Sequence, residues 1–217
     1  MGDGFSAVID RVAAAAERAG RSPDQVTVVA VSKGQPVEAV RALYEQGHRH
    51  FGENRADELE AKAPQLPDDV VWHFVGTVQR RKLGIIRARA AVVHSFDRMA
   101  LVAPWGGAGA PPVLVQVNLA AEPQKHGADR EAVASVVDAA EEAGIRCQGL
   151  MVMPPLAADP EDSRPWFGEL AGLRRRLATE HPSLVELSMG MSDDFEVAVE
   201  EGATLIRVGR AIFGERT

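Results

Sequence analysis

The feature that most constrains this chain is a series of eight short apolar runs, spaced along nearly its whole length. They span residues 26–31, 48–51, 70–75, 90–95, 113–118, 148–153, 184–189 and 203–208. Most are rich in Val, Ile and Leu and lack strict polar alternation, the pattern of strands buried on both faces of a parallel sheet. Helical patterns lie between them. One covers 36–46, with Pro36 in its first turn and Gly47 at its end; another covers 130–143 and stops at Gly144. A third, long and charged, covers 164–180. Ser192-Asp193-Asp194 offers a cap and an acidic first turn to a fourth, which ends at Gly202. Ahead of the first strand, Phe5, Val8, Ile9, Val12, Ala13 and Ala16 recur at helical spacing, and Gly20 closes that segment.

Eight strands alternating with helices in 217 residues predict an α/β protein built as a single-domain (β/α)8 barrel over 1–217, with the helix of residues 1–20 packed on it. An open doubly wound sheet is the alternative, and usually has fewer strands. No Pro- or Ser/Gly-rich linker divides the chain; WGGAGAPP, 105–112, is a loop of ordinary length.

Composition narrows the function. The formal charge is −7, from 24 basic and 31 acidic residues. A general nucleic-acid binder needs a concentrated basic face, so any anion site must be built locally. Cys147 is the only cysteine, which rules out an intrachain disulfide and fits a reducing, cytoplasmic setting; it reads as a packing residue. No run of 18 apolar residues is long enough to span a membrane.

In a barrel of this kind the site lies at the C-terminal ends of the strands. The first run ends at Lys33, the second at Glu53-Asn54-Arg55, the seventh in LSMGMS and the eighth in IRVGRAIFG. Along the eighth, Leu205, Arg207 and Gly209 share one face, which turns Arg207 toward the mouth. A buried arginine needs a partner: an inward acid such as Glu53, or a ligand. Gly190, Ser192, Gly209 and Arg210 can form a phosphate cup, although such glycines also serve ordinary turns. Lys33 either snorkels to water or acts as an amine nucleophile, its pKa lowered by burial and by Arg207. Together the three describe a site for a phosphorylated carbonyl compound.

Other signals are weaker. Arg80-Arg81-Lys82 and Arg174-Arg175-Arg176 read as solvated helix faces. GGAGA precedes a strand, the wrong order for a dinucleotide fingerprint. The six histidines show no metal-ligand spacing, and His73 reads as a satisfied core residue. No Ser-His-Asp nucleophile elbow is present.

VAVSK, HFGENR, WHFVGTVQRRK, VHSFD, QVNLAAEPQKHG, GLMVMPP and LSMGMSDDFEVAVEEGATLIRVGRAIFG, in that order over 26–216, resemble the pyridoxal phosphate homeostasis protein family. The resemblance implies the barrel of the fold-type III pyridoxal phosphate proteins, without the second domain of alanine racemases. It implies that Lys33 forms the Schiff base with pyridoxal 5'-phosphate, that Asn54 lies near the cofactor ring and that Arg207 faces the pyridine nitrogen. Ser188, Ser192, Gly209 and the backbone at Arg210 would hold the phosphate. Three positions depart from the family's usual pattern: Gly34-Gln35 in place of Thr-Lys, Arg81 in place of Asn, and Arg210 in place of a small residue.

An arginine at the ring nitrogen disfavours its protonation and weakens carbanion chemistry. The one tyrosine, Tyr44, falls in the first crossover helix, away from the rim. The expectation is a monomeric carrier that binds pyridoxal phosphate through Lys33 and supplies it to dependent enzymes in vitamin B6 homeostasis, with no catalytic residue and no metal. A small amino-acid racemase and a cofactor-free lysine aldolase acting on a sugar phosphate are the enzyme alternatives.

Overall fold

The computed structural model describes residues 2–107, 109–120, 126–156 and 158–214. Its strands are β1 (Thr27–Val31), β2 (His50–Glu53), β3 (Val71–Phe74), β4 (Val92–Phe96), β5 (Val113–Asn118), β6 (Ala128–Asp129), β7 (Cys147–Val152), β8 (Glu186–Ser188) and β9 (Leu205–Val208). The α-helices are α1 (Gly2–Arg18), α2 (Val37–Glu45), α3 (Ala56–Lys62), α4 (Leu83–Arg89), α5 (Val102–Trp105), α6 (Val133–Glu142), α7 (Arg164–Leu177), α8 (Phe195–Glu200) and α9 (Arg210–Phe213). Each apolar run of the sequence overlaps one strand, with β2, β4 and β7 extending one or two residues beyond it. They pair in parallel in the order β4-β3-β2-β1-β9-β8-β7-β5, and β4 also pairs with β5, which closes the ring of eight. The two-residue β6 adds to β5 at the rim and has no counterpart in the sequence reading, because two residues carry no periodicity. Helices α3 and α5, of seven and four residues, are too short to show a periodicity, and α4 follows directly on Arg80-Arg81-Lys82, the stretch that reads as a helix face.

Strand alternation sorts the apolar residues into two populations. Val28, Ala30, Phe51, Trp72, Phe74, Val93, Ile206 and Val208 face outward and join the main core with the helices. Val29, Leu114, Met151 and Leu205 make a separate small cluster that fills the barrel interior. Val29 pairs with Arg207 across β1 and β9, so Arg207 belongs to the inner layer. Helix α1 buries Val8, Val12, Ala15 and Ala16 and packs against α8 and α9. Ile9, counted in the apolar stripe, is 40% exposed at its edge.

The same alternation puts Gly52 inside and Glu53 outside. Of the two partners open to Arg207 from the sequence, the Glu53 pair therefore does not form. Glu53, fully buried, accepts hydrogen bonds from Ser32 Oγ at 2.7 Å and Lys62 Nζ at 2.6 Å on the α3 side of the sheet. Lys62 Nζ also donates to the Ser32 carbonyl at 2.7 Å. This pair grips the turn that carries Lys33. In that turn Gly34 has φ 71°, the left-handed region where glycine is at ease, and its N–H donates to Glu58 Oε2 at 2.7 Å. Helix α8 begins two residues later than the Ser192 cap implied, with Asp194 at the N-cap. Asp194 Oδ1 accepts from the Met191 N–H at 2.7 Å and Oδ2 from Ser163 Oγ at 2.9 Å, and this fixes the β8–α8 loop.

Candidate functional site

At the C-terminal ends of the strands, β1, β2, β3, β7 and β9 and the β8–α8 loop surround a cavity of about 250 Å³. Its walls carry Lys33, Asn54, Ser192, Arg207, Gly209 and Arg210, six of the seven candidate residues. The apolar part is Val31, Val75, Met153 and Met191, and Asp193 completes it. Met153 and Met191 were visible in the sequence only as strand-end residues; nothing in their type marked them as lining a site.

Ser188 is the exception. It is fully buried below the cavity, where its hydroxyl accepts from Arg207 Nη1 at 2.6 Å and lies 2.7 Å from His94 Nδ1. Its side chain braces Arg207 from behind.

Arg207 is 5% exposed and donates to the Val152 carbonyl at 2.9 Å as well as to Ser188. Burial pushes its pKa down to about 10, with the Asp194 carboxylate opposing. Among the described residues no carboxylate pairs with it within 4.0 Å. A buried guanidinium that still holds its charge at neutral pH, bonded only to neutral acceptors, leaves its positive charge directed at the cavity. Asn54 Oδ1 is buried at the wall without a hydrogen-bond partner among the described residues. Such an acceptor costs stability unless a donor reaches it.

Close backbone packing shapes this wall. A Cβ on Gly76 would lie 1.9 Å from the Asn54 carbonyl oxygen, and one on Gly209 would lie 3.0 Å from the Val31 carbonyl. Gly76→Ala must therefore move the β2 end that carries Asn54. The expected cost is about 1–3 kcal/mol in denaturant unfolding; an unchanged midpoint would show that the β2 and β3 ends separate freely. Ser192 Oγ accepts from the Ala211 N–H at 3.3 Å and joins the β8–α8 loop to α9. Arg210 is exposed and pairs with Asp193 at the rim, so its charge is shared with a carboxylate.

A more apolar cavity of about 730 Å³ adjoins the first through Met153, Met191 and Asp193. It lacks an amine and a buried cation among its described lining residues, so the chemistry points to the smaller one. Arg81 and Lys82, read as a solvated face, line a polar cavity of about 320 Å³ beside Asn54 and Arg55. Arg175 and Arg176 are solvent-exposed, whereas Arg174 is half-buried.

The imidazoles are neutral throughout the barrel floor. Burial lowers the pKa of His48 to about 4 and of His73 to about 3, and lowers those of His50 and His94 as well. The unfolded chain takes up these protons near pH 6.5 and the folded one does not. The stability they contribute is thus fully present above about pH 6.5 and is lost as pH falls toward 4 and then 3. The denaturant midpoint should drop steadily over that window; a flat profile would contradict burial of neutral histidines.

Comparison with known proteins bears on the family and the fold. The family model "Alanine racemase, N-terminal domain" matches residues 5–217. A pyridoxal phosphate homeostasis protein of Aquifex aeolicus is 38% identical over 220 residues, covering 98% of this chain and 96% of that protein. The solved structure of PipY from Synechococcus elongatus without PLP superposes with a TM-score of 0.84 at 35% identity, covering 95% of this chain and 99% of that one. PipY with PLP bound superposes at 0.81 and 33% identity, covering 95% and 100%. The family model over residues 5–217, the relative matched over nearly its whole length and the shared closed parallel barrel place the chain in the pyridoxal phosphate homeostasis protein family, on the alanine racemase N-terminal fold.

Proposed function

We propose that this protein binds pyridoxal phosphate at the barrel mouth, holds it through Lys33 and buffers its supply to dependent enzymes in the cytoplasm. The observation that carries this reading is Arg207: a buried cation with no carboxylate partner among the described residues, in the same cavity as Lys33 and the orphaned Asn54 oxygen. Pyridoxal phosphate supplies an aldehyde that a lysine amine captures reversibly with loss of one water, an unprotonated ring nitrogen that tolerates a facing cation, and a phosphate.

The residues present fit that group. Arg207 is the donor suited to the ring nitrogen, and its retained charge disfavours protonation there. Asn54 Oδ1 can accept from a ring substituent. Ser192, Gly209 and the start of α9 form the side of the cavity suited to phosphate. Ser188 acts behind Arg207 rather than on the ligand.

Carriage rather than turnover is supported by the placement of the one tyrosine. The Tyr44 hydroxyl donates to Asp69 at 2.6 Å, and Tyr44 is not among the cavity residues, so it offers no second acid–base group. An unprotonated ring is a poor electron sink.

The test is titration of the purified protein with pyridoxal phosphate, followed by absorbance and then by incubation with amino acids. A saturable visible band without turnover supports the carrier. Turnover of an amino acid would make it an enzyme, and absence of any band would overturn the reading.

A further inference from the structure

Arg207 stands at the end of a hydrogen-bonded series that crosses the barrel interior. Arg207 Nη1 donates to Ser188 Oγ at 2.6 Å. Ser188 Oγ lies 2.7 Å from His94 Nδ1, His94 Nε2 lies 2.8 Å from His73 Nδ1, and His73 Nε2 lies 3.1 Å from His50 Nδ1. Ser188, His94 and His73 are buried, and His50 is half-buried at the far end.

The direction of these bonds follows from one group. A guanidinium has donors only, so Ser188 Oγ must accept from Arg207. The serine proton then needs an acceptor, and the one other side-chain partner within reach among the described residues is His94 Nδ1. His94 therefore carries its proton on Nε2. A neutral imidazole has one donor and one acceptor, so it passes the direction on: His94 Nε2–H donates to His73 Nδ1, and His73 Nε2–H donates to His50 Nδ1. His50 is left with Nε2–H at the half-exposed end. The reverse order would strand the buried serine proton without a partner, which is costly. Burial lowers the pKa values of His73 and His94 and keeps both rings neutral.

We propose that Ser188, His94, His73 and His50 are positioning residues for Arg207: a one-way chain of neutral groups, each in the Nε2–H form where it is a histidine, that holds the guanidinium at the cavity and cannot neutralise it. Every member accepts from the Arg207 side, and none offers a negative charge. The chain leaves the positive charge of Arg207 to the cavity. The consequence for pyridoxal phosphate rests on the function proposed above; the tautomer assignment does not.

The experiment is ¹⁵N NMR of the histidine rings in cofactor-free protein, wild type and Ser188→Ala. In the wild type, His94, His73 and His50 should all show a protonated Nε2 and a bare Nδ1. In Ser188→Ala the group that fixes the direction is cut off from the rings, and His94 should lose its single-tautomer signature. A protonated Nδ1 on His94 in the wild type, or an unchanged His94 in Ser188→Ala, would overturn the proposal. Should Ser188→Ala fail to fold, Arg207→Met removes the donor from the other side and must scramble His94 in the same way. Absence of pyridoxal phosphate binding in the wild type would sink the proposed function and leave the tautomer result to be judged separately.

Discussion

Lys33→Ala should abolish the visible band that pyridoxal phosphate produces with the wild-type protein, while leaving the fold intact. Lys33 is half-buried in the cavity wall and outside the main core, so its truncation should change stability by less than about 1 kcal/mol. Lys33→Arg separates charge from nucleophilicity. It keeps a cation at the site, but a guanidinium does not deprotonate in a protein. It should therefore also lack the band. Borohydride treatment of the wild-type complex should fix the cofactor on the peptide that contains Lys33, read by mass spectrometry. An undiminished band in Lys33→Ala, or label on another lysine, would remove Lys33 from the site.

The second large effect concerns stability and lies one layer behind the site. Lys62→Met should cost about 3–5 kcal/mol in denaturant unfolding, because it leaves the Glu53 carboxylate buried without its cation. Burial already raises the Glu53 pKa, with Lys62 and then Ser32 pulling against it. Removing Lys62 leaves burial less opposed. An acid whose folded pKa is raised costs stability as pH rises from its unfolded value through the folded one. The deficit of Lys62→Met should accordingly grow with pH and shrink in acid. Adding Glu53→Gln should recover much of it, since the uncompensated charge is then gone. The Ser32 carbonyl also loses its Lys62 donor, so the turn holding Lys33 should loosen and bind cofactor less tightly even in the double variant. A pH-independent deficit, or no gain from Glu53→Gln, would show that the Lys62 stem rather than its charge matters.

The barrel itself was legible early. Eight apolar runs at strand length, with turn glycines and helical patterns between them, leave few topologies, and parallel closure follows from burial on both faces. Lys33 and Arg207 were visible for a related reason: strand parity and position at a strand end are read directly from spacing. Six of the seven candidate residues meet in one cavity because a barrel brings its strand ends to one rim.

The partners of those residues were not legible. Sequence spacing left Glu53 open as a counter-ion for Arg207; the pleat turns it to the other face of the sheet, onto Lys62. Ser188, the last residue of three-residue β8, sits beneath Arg207 because its side chain points inward there. His50, His73 and His94 lie 21 to 23 residues apart along the chain, a distance at which no periodicity speaks, yet they touch across neighbouring strands. Local pattern is a property of the backbone and is written along the chain. Pairing between side chains depends on the register and curvature of the closed sheet. The sequence by itself determined the barrel and where its chemistry gathers; only the tertiary structure decided which neutral and charged groups Arg207 and Lys33 would face.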